Sequence, residues 1–310
     1  MEYFLFVLGF VILVLGADYL VEGASSIAKR FNLSDAIIGM TIVAFGTSAP
    51  ELVVNILASF NGRTELAFAN IIGSNISNIL FALGLAAIFH PIKIRRAMTR
   101  REIPLVIVGC VILFFLANDS LFSTAKNYVS RLDGVFLLIL FSLFFFFSFQ
   151  KSGEEEIASD KSLSVSLAEF FGGLVGLFFG GQWIVDGASR IAENFGVSES
   201  FVGLIIVAIG TSLPEVVTSL IAAIKKKADI AIGNVVGSNI FNTYMVLGVS
   251  STLCPIAYDP KLNFDLGISF LTSLFLLIPL LGRSKYLKRH QGIFFLVFYV
   301  LYLALTYHRG

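Results

Sequence analysis

The chain is poor in the residues that staple a fold or run covalent chemistry. In 310 residues it has two cysteines, three histidines and one tryptophan, and only 14% of its residues are charged. Cys110 lies inside an apolar stretch and Cys254 just before Pro255, so no disulfide is expected. His90, His290 and His308 stand at the ends of apolar stretches and read as interfacial residues, not metal ligands or proton relays. No Ser or Cys is set beside a His base within a stretch, which argues against an intramembrane enzyme. The first stretch has no basic leader and no small-residue cleavage site, so it reads as a retained helix. Net charge is only +1, and nothing supports nucleic-acid binding.

What is abundant is apolar surface: 56% of the residues are hydrophobic and mean hydropathy is +0.87. Ten stretches stand out, about 3–27, 36–60, 66–89, 102–117, 134–149, 167–189, 199–224, 230–252, 266–282 and 291–307. They are continuous and do not alternate, which excludes a β-barrel. Segments such as Phe141 to Phe149 are apolar on every side and suit lipid. With the N-terminus outside, the inner segments carry 16 of the 22 Lys and Arg. The positive-inside rule therefore puts both termini outside and residues 150–166 in the cytoplasm of a multi-pass cell-membrane protein. The basic segment from Lys93 to Arg101 would also suit anionic lipid on that face.

A unit of the sequence occurs twice. GTSAPEL (46–52) returns as GTSLPEV (210–216), and the GSNIxN segment from Gly73 to Asn78 returns from Gly237 to Asn242, always 164 residues on. Without a gap, 31 of 77 positions match between 16–92 and 180–256, and the matches favour Gly, Ser, Thr, Pro, Glu and Asn. Lipid-facing residues drift among Leu, Val and Phe, so retained polar residues point to two half-sites that work together. Equivalent points are five spans apart. The second copy therefore crosses the membrane in the opposite sense, an inverted repeat suited to alternating access.

The four motifs fall near the centres of spans two, three, seven and eight, where charge and irregular backbone are most expensive. Pro50 and Pro214 cannot donate to the carbonyls of Gly46 and Gly210, so both helices are expected to break. The break should free carbonyls around Ala44 to Thr47 and Ala208 to Thr211. Thr47 and Glu51, Thr211 and Glu215, Ser74 and Asn78, and Ser238 and Asn242 are each four apart and share a helix face. Oxygen donors without His or Cys select a hard cation. Ca²⁺ accepts such a set, Na⁺ has a similar size, and Mg²⁺ fits less well. A carboxyl buried without a cation tends to keep its proton, so H⁺ is a further candidate counter-ion. Asn75 and Asn239 read equally well as members of the site and as mere caps of broken backbone. Asn70 and Asn234 read as packing residues, Glu22 and Asp186 as solvated or capping. Gly16, Gly23, Gly172, Gly173, Gly176, Gly180, Gly181 and Gly187 suit either tight packing or sliding of spans one and six.

GTSAPE with GSNISN, repeated as GTSLPE with GSNIFN, resembles the α-repeats of the sodium/calcium exchanger family within the cation/Ca²⁺ antiporters. The resemblance covers both halves. It implies an all-α membrane fold of ten helices in two inverted five-helix repeats, with helices two and seven broken at the midplane. It also implies the ligands: the Ala44 carbonyl, Thr47, Ser48, Glu51, Ser74 and Asn78, then the Ala208 carbonyl, Thr211, Ser212, Glu215, Ser238 and Asn242. Some relatives have Asp where this chain has Asn242, an acid associated with K⁺ co-transport, so Asn242 argues for K⁺ independence. Two acids remain, for a formal site charge of −2. One Ca²⁺ neutralises it and three Na⁺, the family's usual number, leave +1, so exchange should be electrogenic.

The expectation is thus an antiporter, not an enzyme, exporting Ca²⁺ for Na⁺ with no cofactor. It is expected to be a monomer in the lipid bilayer, with one repeat over 1–149, a short linker over 150–166 and a second repeat over 167–310. The linker, with Glu154, Glu155 and Glu156, is too short to fold as a regulatory domain, as in prokaryotic members. The same fold running on H⁺ is the nearest alternative and a cation channel the more distant one.

Overall fold

A computed structural model describes residues 2–62, 64–121, 127–149, 161–194, 208–281 and 285–309. The helices follow the apolar stretches. In the first half they are α1 (Glu2–Arg30), α2 (Asp35–Thr47), α3 (Ala49–Phe60), α4 (Leu66–Phe89), α5 (Glu102–Ala117) and α6 (Arg131–Ser148). In the second they are α7 (Leu163–Asn194), α8 (Ala208–Thr211), α9 (Leu213–Ile224), α10 (Ala228–Leu253), α11 (Asn263–Phe275) and α12 (Arg289–Arg309). Among the described residues seven helices are long and apolar enough to span a bilayer, or eight if the bent pair α2–α3 counts as one. The protein is an integral, multi-pass membrane protein. The first part of the seventh expected span, 199–207, and the linker as far as 160 lie outside the described residues.

Helix ends are set locally. The Ser34 hydroxyl accepts the Ile37 N–H at 3.3 Å and starts α2, while Ser130 and Asp133 form a capping box at the start of α6. The first and sixth expected spans overrun their apolar stretches, to Arg30 and Asn194, because their last turns hold good helix formers and no Pro.

The layering is the reverse of a soluble protein's. Of the most apolar window of α10, 94% is buried, against 11% for α6. The outside is Phe, Leu and Val, including Leu132, Phe146 and Val300. An apolar exterior of that extent requires lipid. The centre, where α4 and α10 meet α2, α3 and α9, holds the polar residues.

Glycine lets the helices approach this closely. A Cβ added to Gly16 would lie 2.7 Å from the Leu177 nitrogen, one at Gly23 2.6 Å from the Phe170 nitrogen, and one at Gly180 2.7 Å from the Leu13 nitrogen. So α1 and α7 meet backbone to backbone along their length, and motion of one must carry the other. Gly172 and Gly181 do not take part: a Cβ meets nothing within 4 Å at the first and makes ordinary contact at the second. In the same manner Gly233 of α10 faces the Ala36 carbonyl of α2.

Two short antiparallel pairs join the halves. Ile92–Lys93 pairs with Tyr286–Leu287, and Tyr128–Val129 pairs with Ile256–Ala257. Ile92 and Ile256 are equivalent positions of the repeat, so each half lends a strand to the other.

Gly173→Ala forces a methyl to 2.5 Å from the Leu20 nitrogen. It should destabilise the detergent-solubilised protein by about 1–3 kcal/mol. Gly172→Ala, one residue away and unobstructed, should be neutral or stabilising by up to about 1 kcal/mol. Thermal unfolding of the two variants side by side checks the difference.

Candidate ion-binding site

The site begins with two helix breaks. The axes of α2 and α3 differ by 43° across Ser48. Pro50 has no N–H for the Gly46 carbonyl and its ring crowds that turn. Ser48 sits at φ −85°, ψ 4° and Ser212 at φ −87°, ψ 0°, so equal sequence has given equal geometry twice. Each break starts a new helix and sets a carboxylate in its first turn, Glu51 in α3 and Glu215 in α9. There the helix N-terminus presents partial positive charge. The Ala44 carbonyl is not left free as the sequence suggested. It accepts the Ser48 N–H at 2.9 Å and the Thr47 hydroxyl at 3.3 Å, because the chain keeps its helical turn up to the joint.

Both carboxyls are wholly buried, and each is held by the serine of the other half. Ser48 Oγ donates to Glu215 Oε1 at 2.9 Å, and Ser212 Oγ donates to Glu51 Oε1 at 3.5 Å. Ser212 Oγ also reaches Ser74 Oγ at 3.1 Å, and Ser238 Oγ donates to Glu215 Oε1 at 3.4 Å. Thr47 Oγ1 lies 3.5 Å from Ser238 Oγ. Two clusters result, each drawing on both halves: Thr47, Ser48, Glu215 and Ser238 in one, and Glu51, Ser74 and Ser212 in the other. Thr211 ends α8 beside Ser212 and is buried; Ala208 begins that helix.

Asn78 and Asn242 reach the site by another local device. Wide π-helical turns cover Asn78–Leu83 and Phe241–Val246, at matching places in the two copies. Such turns are frequent at functional sites because they leave backbone and side-chain groups off the regular ladder. Asn78 Nδ2 donates to Asn239 Oδ1 at 3.1 Å, while neither amide atom of the fully buried Asn242 has a partner.

Four buried acceptors from four helices stand without a hydrogen bond: Glu51 Oε2, Glu215 Oε2, Asn78 Oδ1 and Asn242 Oδ1. Buried polar atoms are rarely left so in native proteins. Among the described residues no Lys or Arg pairs with either carboxyl, and no group of three or more His, Cys, Asp or Glu gathers anywhere. The donor set is oxygen only, two carboxylates among amides and hydroxyls, and it suits a hard cation.

Three asparagines were read too lightly. Asn234, taken for a packing residue, is fully buried; its Oδ1 accepts from Thr47 Oγ1 at 3.1 Å, and its Nδ2 donates to the Glu215 carbonyl at 3.3 Å and Ser219 Oγ at 3.1 Å. It lies four residues before Ser238, and that spacing on one helix face was the available signal. Asn75 and Asn239 do not cap the breaks. They tie α4 to α10, Asn75 Nδ2 donating to Thr243 Oγ1 at 3.0 Å and Asn239 Nδ2 to the Asn75 carbonyl at 3.2 Å. Glu22 is an ion-pair centre and not simply solvated, 3.0 Å from Lys225 Nζ and 2.9 Å from Lys227 Nζ. Asp186 accepts from Gln182 Nε2 at 2.9 Å on an exposed face, as expected of a solvated residue.

Comparison with known proteins follows the same lines. Residues 1–150 and 165–308 match the family described as sodium/calcium exchanger protein. The inner membrane protein YrbG of Escherichia coli is 35% identical over 98% of this chain and 96% of its own. The sodium/calcium exchanger MaX1 of Methanosarcina acetivorans is 29% identical over 99% of both. The solved sodium-calcium exchanger NCX_Mj, soaked with 10 mM Na⁺ and no Ca²⁺, superposes with a TM-score of 0.86 at 34% identity over 98% of each chain.

Asn234→Leu removes the partner of three buried groups and should destabilise the protein by about 1–3 kcal/mol. Asn70→Leu, its repeat mate, whose Nδ2 has no partner, should cost less. Chemical unfolding in detergent distinguishes the two.

Proposed function

Because the chain belongs to the sodium/calcium exchanger family, we propose that it is a secondary antiporter that exports Ca²⁺ in exchange for Na⁺ by alternating access. The observation that carries the reading is the crossed pair Ser48–Glu215 and Ser212–Glu51, two buried carboxyls with unpaired oxygens between the halves. The ions are substrates. The ligands are the carbonyls of Ala44 and Ala208, the hydroxyls of Thr47, Ser48, Ser74, Thr211, Ser212 and Ser238, the amides of Asn78 and Asn242, and the carboxylates of Glu51 and Glu215. The Thr47 hydroxyl has a single proton; when it goes to Asn234 Oδ1 at 3.1 Å, the Ala44 carbonyl keeps one of its two lone pairs for an ion.

The architecture is ten spans in two inverted repeats, 1–149 and 167–310, around a cytoplasmic linker at 150–166, with both termini outside and a monomer as the working unit. Supporting it are the equal breaks at Ser48 and Ser212, the matched π-turns and the reciprocal strand pairing. Exchange of the halves' conformations turns an outward opening into an inward one. The moving part is the glycine-locked pair α1 and α7, against the core of α2–α4 and α8–α10.

The two carboxylates give the empty site a formal charge of −2. Ca²⁺ brings it to zero and three Na⁺ to +1, so the Na⁺-loaded form carries charge across. Asn242, an amide in place of an acid, leaves K⁺ without a charge partner. The cycle therefore runs without K⁺.

In proteoliposomes an outward Na⁺ gradient should drive ⁴⁵Ca uptake at a rate that changes with an imposed voltage and is indifferent to K⁺. Flux driven by a pH jump without Na⁺ assigns H⁺ as the counter-ion, and flux blind to voltage removes the charge assignment. Glu51→Gln and Glu215→Gln should each abolish ⁴⁵Ca flux in protein that still elutes as a single folded species, since each deletes half of the site's charge. Normal flux in either variant refutes the ligand assignment.

A further inference from the structure

The two halves of the site have different surroundings, and the repeat exposes the difference. The fully buried residues of α3 are Glu51, Asn55 and Ser59, at i, i+4 and i+8 on one face. All three are polar, and each leaves an oxygen unpaired: Glu51 Oε2, Asn55 Oδ1 and Ser59 Oγ. This face packs against α4 and the Leu247–Leu253 end of α10. From α10, Ser250 adds another fully buried and unpaired hydroxyl; from α4, Asn70 adds an unpaired Nδ2.

The equivalent positions 164 residues away are closed. Ser59 answers to Ala223 and Ser250 to Ala86, both fully buried and apolar. Asn55 answers to Ser219 and Asn70 to Asn234, and those two bond to each other at 3.1 Å. The fold therefore accepts alanine at two of the four places and satisfied groups at the others. Unpaired buried polar groups are costly and rare, so their concentration on one side needs an occupant.

Resting on the Na⁺/Ca²⁺ exchange reading, we propose that Asn55, Ser59, Asn70 and Ser250 line a partly hydrated Na⁺ station between the midplane site and the face where α3 ends. By the Lys and Arg asymmetry that face is the outer one. The amide and hydroxyl oxygens are neutral, which suits a monovalent ion; Ca²⁺ draws on carboxylates, and among the described lining residues the only one is Glu51 at the inner end. Asn70 Nδ2 donates to a water of the ion's shell. Na⁺ then passes along α3 from Ser59 to Asn55 to Glu51, one helical turn per step. Among the described residues the opposite helix α9 carries one unpaired hydroxyl, Thr218 Oγ1, and no file of them, so Na⁺ reaches the site by different routes from the two sides.

The test writes the closed half's residues into the open one. Ser59→Ala with Ser250→Ala introduces side chains that the fold already accommodates at the equivalent places. Half-saturation is measured in right-side-out and inside-out vesicles for Na⁺ and for ⁴⁵Ca. The outer Na⁺ value should rise about fivefold, the size of one lost neutral contact, with inner Na⁺ and outer Ca²⁺ values unchanged. An unchanged outer Na⁺ value shows that the groups hold structural water only and overturns the station. A shift shared by both faces or by Ca²⁺ also overturns it, as a general disturbance. Wild-type protein with no Na⁺-driven ⁴⁵Ca flux refutes the exchange reading itself.

Discussion

Two carboxyl groups, Glu51 and Glu215, are sealed into the middle of an apolar slab, and among the described residues no basic side chain balances them. An uncompensated charge in such a medium is among the most expensive things a protein can contain. The surrounding structure reduces that expense. Each acid sits in the first turn of a helix created by a break, and each takes a hydroxyl from across the pseudo-symmetric interface. What protein groups leave unbalanced is the charge that the proposed cations would supply. A site of this kind binds because it is incomplete.

Holding that geometry needs a rigid frame. Glycines bring the backbones of α2 and α10 together, and asparagine pairs tie α4 to α10. The pair α1 and α7 is attached differently. Leu174 and Val185 of α7 pack over Gly46 and Gly210, the glycines of the two breaks. Glu22 and Asp18 of α1 pair with Lys225 and Lys227 at the end of α9, through partly exposed groups. Exposed ion pairs contribute little stability and exchange readily. The frame is thus interlocked by backbone contacts and buried hydrogen bonds, while α1 and α7 are held to it in part by exposed ion pairs that can be remade.

Much of this was legible before any coordinate. The apolar stretches gave the helices, Pro50 and Pro214 gave the breaks, and the doubled GTSxPE and GSNIxN segments brought the acids and hydroxyls to one place. The missed features share a cause. Asn234, the π-turns at Asn78 and Phe241, and the bonded Ala44 carbonyl depend on which groups meet across helices, and a one-dimensional pattern does not encode partners. The glycines show the same limit, since Gly172 and Gly173 read alike as letters although only Gly173 faces α1.

By itself the sequence determined the solvent, through its run of apolar stretches, and the chemistry, through two acids among hydroxyls and amides repeated at a fixed interval. These are properties of composition and spacing, which survive any packing. Only the tertiary structure decided that each acid is held by the other half's serine, that Asn242 stands without a partner, and that the hydroxyls of Ser59 and Ser250 are buried unpaired where Ala223 and Ala86 are apolar. Burial and hydrogen bonding belong to pairs of residues far apart in the chain. They come into being only when the helices meet.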